Sequence, residues 1–162
     1  MLRLSGIALF CCLLLIGCSS SDQSVAEPET RSSESQGQKL PITAQVEISG
    51  EIIELEVANT SGEQAMGLMY REKLAANRGM LFPLEPPRKP QFWMKNVEIS
   101  LDMIFLYEGE VRAIAQEVPP CTETPCPTYG PDTKIDQVIE LRGGRAEELE
   151  LEVGDSLAVE DK

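Results

Sequence analysis

The sequence predicts an all-β fold: a compact sandwich or barrel of short, mostly antiparallel strands with one or two short helices. Three observations favour this class. Apolar and polar residues alternate over several short stretches, turn residues separate these stretches, and helical spacing is confined to two brief segments. Many short strands joined by turns are typical of sandwiches and barrels.

A hairpin and a capped helix account for the first part of this pattern. Residues 44–49 and 53–57 alternate apolar with polar side chains, and Ser49-Gly50 lies between them as a turn. That alternation predicts two paired strands with one solvated face. The sequence Ser61-Gly62-Glu63-Gln64 predicts a capping box at the start of a short helix that runs to about Arg71.

The same periodicities predict the remaining elements. We predict further strands over residues 79–84, 91–94, 102–107, 110–117, 135–141 and 156–159, a hairpin turn at Glu108-Gly109, and a second helical turn over 146–149. Asn96 and Asp102 bracket a turn between strands, where these residue types commonly hydrogen-bond to the backbone. A structural role is therefore expected for both.

The N-terminal residues predict a lipoprotein signal. Arg3 precedes an apolar run over residues 4–16, and the tetrapeptide Leu15-Ile16-Gly17-Cys18 resembles a bacterial lipobox. The run ends in serines, short of the about 20 apolar residues that cross a bilayer as a helix. We expect cleavage after residue 17 and a lipid on Cys18, which would hold the protein to a membrane in the cell envelope, outside the cytoplasm. A signal cleaved at a different place is the alternative.

Composition divides the rest of the chain into a tether and one domain. Residues 18–40 comprise the lipidated cysteine and a Ser-rich, almost entirely polar stretch, which buries too little apolar surface to fold. Residues 41–162 have the length of a single domain and show no internal repeat. We therefore predict a signal peptide over 1–17, a disordered tether over 18–40 and a single β domain over 41–162.

Charge and missing residue types exclude several functions. The chain carries 14 basic and 27 acidic residues, a net charge of −13, which disfavours binding to nucleic acid. It contains no histidine, which excludes Ser-His-Asp and Cys-His catalysis and histidine-ligated zinc. Neither a P-loop nor a dinucleotide-binding glycine motif is present. No cofactor, metal site or catalytic residue is expected, although carboxylate chemistry stays open because acids are plentiful.

Blocks in the central and C-terminal parts of the chain resemble one known family. The blocks are Gly67-Leu68-Met69-Tyr70-Arg71, Gly79-Met80-Leu81-Phe82, Phe92-Trp93-Met94-Lys95-Asn96, Leu101-Asp102-Met103-Ile104-Phe105, Val138-Ile139-Glu140-Leu141 and Val153-Gly154-Asp155. Together they resemble the bacterial and archaeal family called domain of unknown function 192, over roughly residues 46–159. The resemblance implies an all-β sandwich or barrel with one or two short helices. It implies no catalytic residues, because the family has no established activity.

The same blocks supply candidate ligand-binding residues. Trp93 alternates with Phe92 and Met94 along a predicted strand, so it should face the opposite side from both. An apolar cleft with cations at its mouth would suit a small ligand that bears a carboxylate or phosphate. The candidates are Met69, Met80, Met94, Trp93, Arg71, Arg78 and Lys95. The alternative is that the apolar members form core and the cations pair with nearby acids.

The cysteines outside the signal predict a disulfide. Cys121 and Cys126 lie in a proline-rich loop, and an exported protein meets an oxidising environment. Zinc would need four ligands, which only carboxylates could complete here, and redox motifs usually have a two-residue spacing. A structural disulfide between the two is therefore expected. The resemblance to the domain of unknown function 192 family implies the same, since similar cysteine pairs occur in some of its members.

The sequence leaves two functional classes open beside a scaffold without any pocket. We favour a non-catalytic, membrane-tethered binding module for a small molecule or an envelope protein. The alternative is a carboxylate-dependent hydrolase that acts on envelope glycans. Two acids about 5 to 10 Å apart across a groove would favour the hydrolase, and an apolar cleft with isolated cations would favour binding.

Overall fold

Residues 37–162 are described by the computed structural model, and they form nine strands and two short helices. The strands are β1 (Ile42–Ile48), β2 (Glu51–Val57), β3 (Arg78–Arg88), β4 (Phe92–Trp93), β5 (Leu101–Tyr107), β6 (Glu110–Val118), β7 (Thr128–Tyr129), β8 (Ile135–Arg142) and β9 (Val159–Asp161); the helices are α1 (Ser61–Met66) and α2 (Arg145–Glu148). The predicted signal peptide, Cys18 and nearly all of the predicted tether lie outside the described residues. Within residues 37–162, no helix is both long and apolar enough to span a membrane.

Seven strands form one mixed sheet in the order β6-β5-β8-β3-β2-β1-β9, and β4 pairs with β7 in a separate two-stranded sheet. All pairs are antiparallel except β2 with β3, which the chain connects through α1. The prediction of an all-β fold with mostly antiparallel strands and short helices is confirmed. The large sheet does not close into a barrel, since β6 and β9 are its edges. Leu157, just before β9 at one edge, donates its N–H to the carbonyl oxygen of Gly109, just before β6 at the other edge, at 2.7 Å. The two edges therefore approach each other, and the sheet curls strongly.

Both predicted hairpin turns are present, and their backbone dihedrals explain the residues found there. Ser49 and Gly50 have φ values of 52° and 80°, and Glu108 and Gly109 have 52° and 76°. Two successive positive φ values are characteristic of type I′ turns, whose twist matches that of the strands they join. Glycine at the second position adopts such a φ without steric cost.

Three predicted features are displaced by a few residues in the structure. The capping box uses Thr60 and Glu63 rather than Ser61 and Gln64: the Glu63 N–H donates to Thr60 Oγ1 at 3.2 Å, and the Thr60 N–H donates to Glu63 Oε2 at 2.8 Å. The helix ends at Met66 instead of near Arg71, because Gly67 turns the chain there. The last strand begins at Val159 rather than at residue 156.

The sheet buries apolar side chains on both of its faces. Along the adjacent strands β3, β5 and β8, successive side chains point to opposite faces of the sheet, where they form two separate core layers. The first layer, with β1, β2 and α2, includes Val46, Ile53, Leu55, Leu81, Ile104, Ile139 and Leu141. The second, beneath α1 and the segment around β4, includes Leu68, Met80, Phe82, Met94, Met103, Phe105 and Val138. The second layer positions the candidate site.

Candidate functional site

Trp93 is the large aromatic side chain that the second layer leaves at the surface. It lies in β4 opposite Thr128 of β7, and 48% of it is exposed. Met94 beside it is 1% exposed, and Phe92 is half-buried. This is the alternation expected along a strand, in which successive side chains point to opposite faces. The strand thus places two apolar side chains inward and the indole outward.

Lys95 and the disulfide loop lie on one side of Trp93. The Lys95 Nζ atom is 5.3 Å from the centroid of the indole ring, a distance at which a cation is attracted to the ring face. The structure joins Cys121 and Cys126 in a disulfide, with Cα atoms 5.7 Å apart. Together with Trp93 and Lys95, the loop borders a depression of about 650 Å³. Trp93 and Lys95, two of the predicted site residues, are therefore neighbours.

A second depression, the aromatic cleft, lies on the other side of Trp93. It has a volume of about 410 Å³, and its lining is Gln64, Ala65, Phe82, Leu84, Arg88, Lys89, Pro90, Gln91, Phe92 and Trp93. Phe82 and Phe92 meet edge to face with ring centroids 5.2 Å apart, and Phe92 packs similarly against Phe105 at 6.1 Å. Edge-to-face contacts of this kind are favourable beyond the apolar area they bury. The wall of the cleft is therefore anchored in the second core layer.

The aromatic cleft adjoins a much smaller inner pocket. The two share Gln64, Ala65, Phe82, Phe92 and Trp93, and the inner pocket adds Met66, Gly67, Leu68, Met69, Val97 and Glu140 to its lining. Its volume is about 30 Å³. A space of that size holds one or two water molecules.

Glu140 is the acidic residue of the inner pocket, and it lies in the middle of the sheet. On β8 its neighbours across the two adjacent strands are Met80 and Met103, both in the second core layer. Only 5% of the residue is exposed, and burial raises the pKa of its carboxyl to about 8. Among residues 37–162, no hydrogen bond or ion pair to this carboxyl is present. The group is therefore a largely buried acid that lines the inner pocket and has no protein partner among these residues.

The other polar side chain of the inner pocket is already engaged. The Gln64 Nε2 atom donates to the carbonyl oxygens of Ala58 and Pro83, at 3.1 and 2.7 Å, and its Oε1 accepts from Arg88 at 3.4 Å. At the rim of the aromatic cleft, Lys89 pairs with Asp132. Glu140 is thus the ionisable side chain in the lining of the inner pocket, and none of the described hydrogen bonds engages it.

Two of the predicted cations line a different depression. Arg71 pairs with Glu56 at 2.6 Å and Arg78 pairs with Glu54 at 2.9 Å, in a groove beside residues 72–75. The structure does not place either guanidinium in the lining of the aromatic cleft, the inner pocket or the depression beside the disulfide. This arrangement is the pairing with acids that the sequence left as the alternative.

The predicted methionines are divided between core and pocket. Met80 and Met94 are fully buried, at 0% and 1% exposure, whereas Met69 lines the inner pocket. The Met69 Sδ atom lies 3.9 Å from Nδ2 of Asn96. The Asn96 amide otherwise donates to the Tyr70 hydroxyl at 2.9 Å, so its partner is a side chain and not the backbone that was predicted.

Sequence reasoning missed Glu140, although a signal was present. Val138, two residues earlier on the same face, and Ile139 and Leu141 on the opposite face are all apolar. Apolar residues on both faces of a strand indicate a central strand buried on both sides. An acid within such a strand must be buried, and buried acids with a raised pKa are common at functional sites.

No group of three or more Cys, Asp or Glu that could hold a metal ion exists in residues 37–162.

Comparison with known proteins places this architecture in a family. The family model of domain of unknown function 192, described as an uncharacterized ACR, matches residues 44–159. A crystal structure of a protein of unknown function from Novosphingobium aromaticivorans DSM 12444 is 36% identical, with a TM-score of 0.64 over 72% of this chain and 83% of that one. A crystal structure from Sinorhizobium meliloti 1021, described as a "putative transcription regulator", is 29% identical, with a TM-score of 0.68 over 76% of this chain and 98% of that one. No curated protein matches the chain. With nearly all of its described sheet inside the matched range, the chain belongs to the domain of unknown function 192 family.

Proposed function

We propose that this protein is a membrane-tethered, extracytoplasmic binding module whose aromatic cleft holds a small organic molecule. One observation carries the proposal: the cleft adjoins a pocket in which the Glu140 carboxyl is buried without a partner. Burying such a group in an apolar setting is unfavourable unless it makes a hydrogen bond or an ion pair. A bound molecule would supply that missing interaction.

The lining favours binding over hydrolysis of a glycan. Glycosidases of the usual kind need two carboxyl groups about 5 to 10 Å apart across the scissile bond. The aromatic cleft and the inner pocket contain one acid between them, Glu140, and several aromatic rings. Concave, mostly apolar sites with few polar groups are typical of small-molecule binding. The hydrolase is therefore the weaker proposal.

The tether and the location rest on the sequence. Cys18 follows an apolar run of signal-peptide length, and serines follow it directly. The disulfide between Cys121 and Cys126 supports the proposal of an oxidising compartment, because such bonds are rare in the reducing cytosol. The net charge of −13 would repel DNA, so regulation through DNA binding is disfavoured for this chain.

The protein carries its own reporter for this proposal. Trp93 is the sole tryptophan of the chain, so its fluorescence reports on molecules that bind in the aromatic cleft, the inner pocket or the depression beside the disulfide. We would titrate the purified full-length protein with amino acids, amines, envelope sugars and peptidoglycan fragments. We expect at least one compound to shift the emission maximum saturably, because a ligand displaces water from the half-exposed indole.

A matched pair of variants distinguishes the cleft from a nonspecific effect. Ala65 is exposed on α1 and lines both the cleft and the inner pocket, so Ala65→Phe should obstruct the site without disturbing the core. Ala158→Phe makes the same change at an exposed position outside these cavities. We expect binding to weaken at least tenfold in the first variant and to stay unchanged in the second. If no compound produced a saturable shift, or if both variants bound equally, the proposed function would be wrong.

A further inference from the structure

We infer that the ligand carries a primary ammonium group, which the Glu140 carboxylate binds in the inner pocket while an apolar chain occupies the aromatic cleft. This inference rests on the proposed function, since it names the class of molecule that the same site takes. It is carried by the position of the Glu140 carboxyl, which lines the inner pocket without a protein partner among residues 37–162, and by the size and lining of that pocket.

The buried charged residues of the described chain differ in whether another residue of the protein pairs with them. These residues are Asp102, Glu140 and Arg145. The Asp102 carboxylate accepts three backbone N–H groups, and the Arg145 guanidinium pairs with Glu51 and Glu148. Glu140 alone of these three has no partner among residues 37–162. Because the side chains around it are mostly apolar, the ionised form of Glu140 lacks a hydrogen-bond donor, and a cationic donor would stabilise that form.

The size of the inner pocket selects among cationic groups. Its volume of about 30 Å³ accommodates an ammonium group, which is about the size of a water molecule. A trimethylammonium or guanidinium group is larger than an ammonium group and would have to displace Phe82 or Phe92, which pack edge to face with each other. A primary amine therefore fits where bulkier cations do not.

The lining of the inner pocket also suits a cation. Phe82, Phe92 and Trp93 contribute aromatic rings, whose π-systems attract a positive charge placed over their faces. The remaining side chains are uncharged apart from Glu140 itself. No competing cation is therefore present in the pocket to repel the ammonium group.

The lining of the aromatic cleft indicates which kind of hydrocarbon group the ligand carries beside its ammonium group. Leu84, Pro90 and the aromatic rings offer an apolar surface for an alkyl or aryl chain. Arg88 and Lys89 stand in the same lining, and they disfavour a second positive charge at the far end of the ligand. The site should therefore prefer a monoamine over a diamine of the same length.

The test uses n-hexylamine as the probe and the fluorescence of Trp93 as the readout, with full-length protein at pH 7.5. Four other compounds with a six-carbon chain isolate each feature of the ligand: hexan-1-ol removes the charge, hexyltrimethylammonium enlarges the head, 1,6-diaminohexane adds a second cation, and hexanoate reverses the charge. We expect hexylamine to bind at least tenfold more tightly than each of the four.

Two variants test the role of Glu140 directly. Glu140→Gln keeps the shape of the side chain and removes its charge, and Glu47→Gln makes the same change at an exposed position on β1. We expect the affinity for hexylamine to fall at least tenfold in the first and to be unaltered in the second, with isothermal calorimetry as an independent measurement. Far-UV circular dichroism verifies that Glu140→Gln is folded.

The outcomes separate this inference from the proposed function. If hexan-1-ol bound as tightly as hexylamine, or if Glu140→Gln bound hexylamine normally, the ammonium inference would be overturned. If hexylamine gave no response while another compound shifted Trp93 emission in the native protein but not in Ala65→Phe, the cleft would still be a binding site and only its ligand class would be wrong. If no compound of either set bound, both proposals would fail.

Discussion

The Asp102 carboxylate binds the start of α2: its Oδ2 atom accepts a hydrogen bond from the Ala146 N–H at 2.7 Å. Its Oδ1 accepts two more, from the backbone N–H groups of Glu117 at 2.7 Å and Gly144 at 3.1 Å. The residue is fully buried at the start of β5. One side chain therefore joins β5, the end of β6 and α2, which confirms the backbone-binding role predicted for it.

Removing this carboxylate should destabilise the fold strongly. In Asp102→Ala, three backbone N–H groups lose their acceptor, and each buried unsatisfied donor costs about 1–3 kcal/mol. We expect the free energy of unfolding in urea to fall by at least about 3 kcal/mol. The control is Asp161→Ala, at an exposed site on β9, which should change the free energy by less than about 0.5 kcal/mol. Equal small effects in both variants would contradict the structural role.

Glu140 should make stability fall as the pH rises. Its pKa is about 8 in the folded protein against an ordinary value of 4.5, so the folded state retains a proton that the unfolded state has released. The folded state is therefore favoured most below pH 4.5, and this advantage is lost progressively between pH 4.5 and 8. No charged side chain of α1 lines the inner pocket, and the cross-strand neighbours Met80 and Met103 are uncharged, so burial alone sets this direction.

The expected magnitude can be measured against a neutral replacement. A rise in the pKa of Glu140 from 4.5 to about 8 changes the free energy of unfolding by at most about 5 kcal/mol between pH 4.5 and pH 8. Glu140→Gln has no charge to bury, so the variant should gain stability relative to the native protein as the pH rises from 4.5 to 8. Urea unfolding at several pH values measures the difference. A difference that stayed constant across this range would show that the acid is not buried as described.

The disulfide should be complete in exported protein. Cys121 and Cys126 should resist maleimide until a reductant is added, because their sulfur atoms are bonded to each other. The double change of both cysteines to serine should lower the free energy of unfolding by about 2 kcal/mol in the chain-entropy description of a small loop. Mass spectrometry of maleimide-treated native protein is the measurement, and labelling without reductant would reject the bond.

The lipid anchor is tested at Cys18. Cys18→Ser should yield an unprocessed precursor that takes up no radioactive palmitate, because the serine hydroxyl does not replace the cysteine thiol in this modification. The native chain, expressed in the same cells, should be labelled and shortened by its signal. Equal labelling of both would remove the anchor from the proposed function.

Local patterns predicted much of the fold because the features they describe are themselves local. Alternation located most strands, and Ser49-Gly50 and Glu108-Gly109 located the turns, since both depend on residues adjacent in sequence. The strand at Thr128–Tyr129 was missed because two residues show no period. The parallel pairing of β2 with β3 depends on a crossover that no local pattern specifies.

The candidate site was only partly predictable for a similar reason. Trp93 ends β4 and Lys95 lies in the turn just after it, so their proximity followed from nearness in sequence. Arg71 and Arg78 were expected nearby because they are near in sequence, but each pairs with an acid of β2. Glu140 is distant in sequence from Trp93 and reaches the same pocket only through the order of the strands.

The most direct test of amine binding at this cleft measures the Glu140 carboxyl itself. The side-chain carboxyl ¹³C resonance of Glu140 can be followed from pH 4 to 9 by NMR, with and without saturating n-hexylamine. We predict a midpoint near the raised value of about 8 in the free protein. With the amine bound, we predict a lower midpoint, because a nearby cation favours the ionised carboxylate. A resonance that titrates near 4.5 in the free protein, or one that hexylamine leaves unmoved, would contradict the claim that this cleft binds an ammonium compound through Glu140.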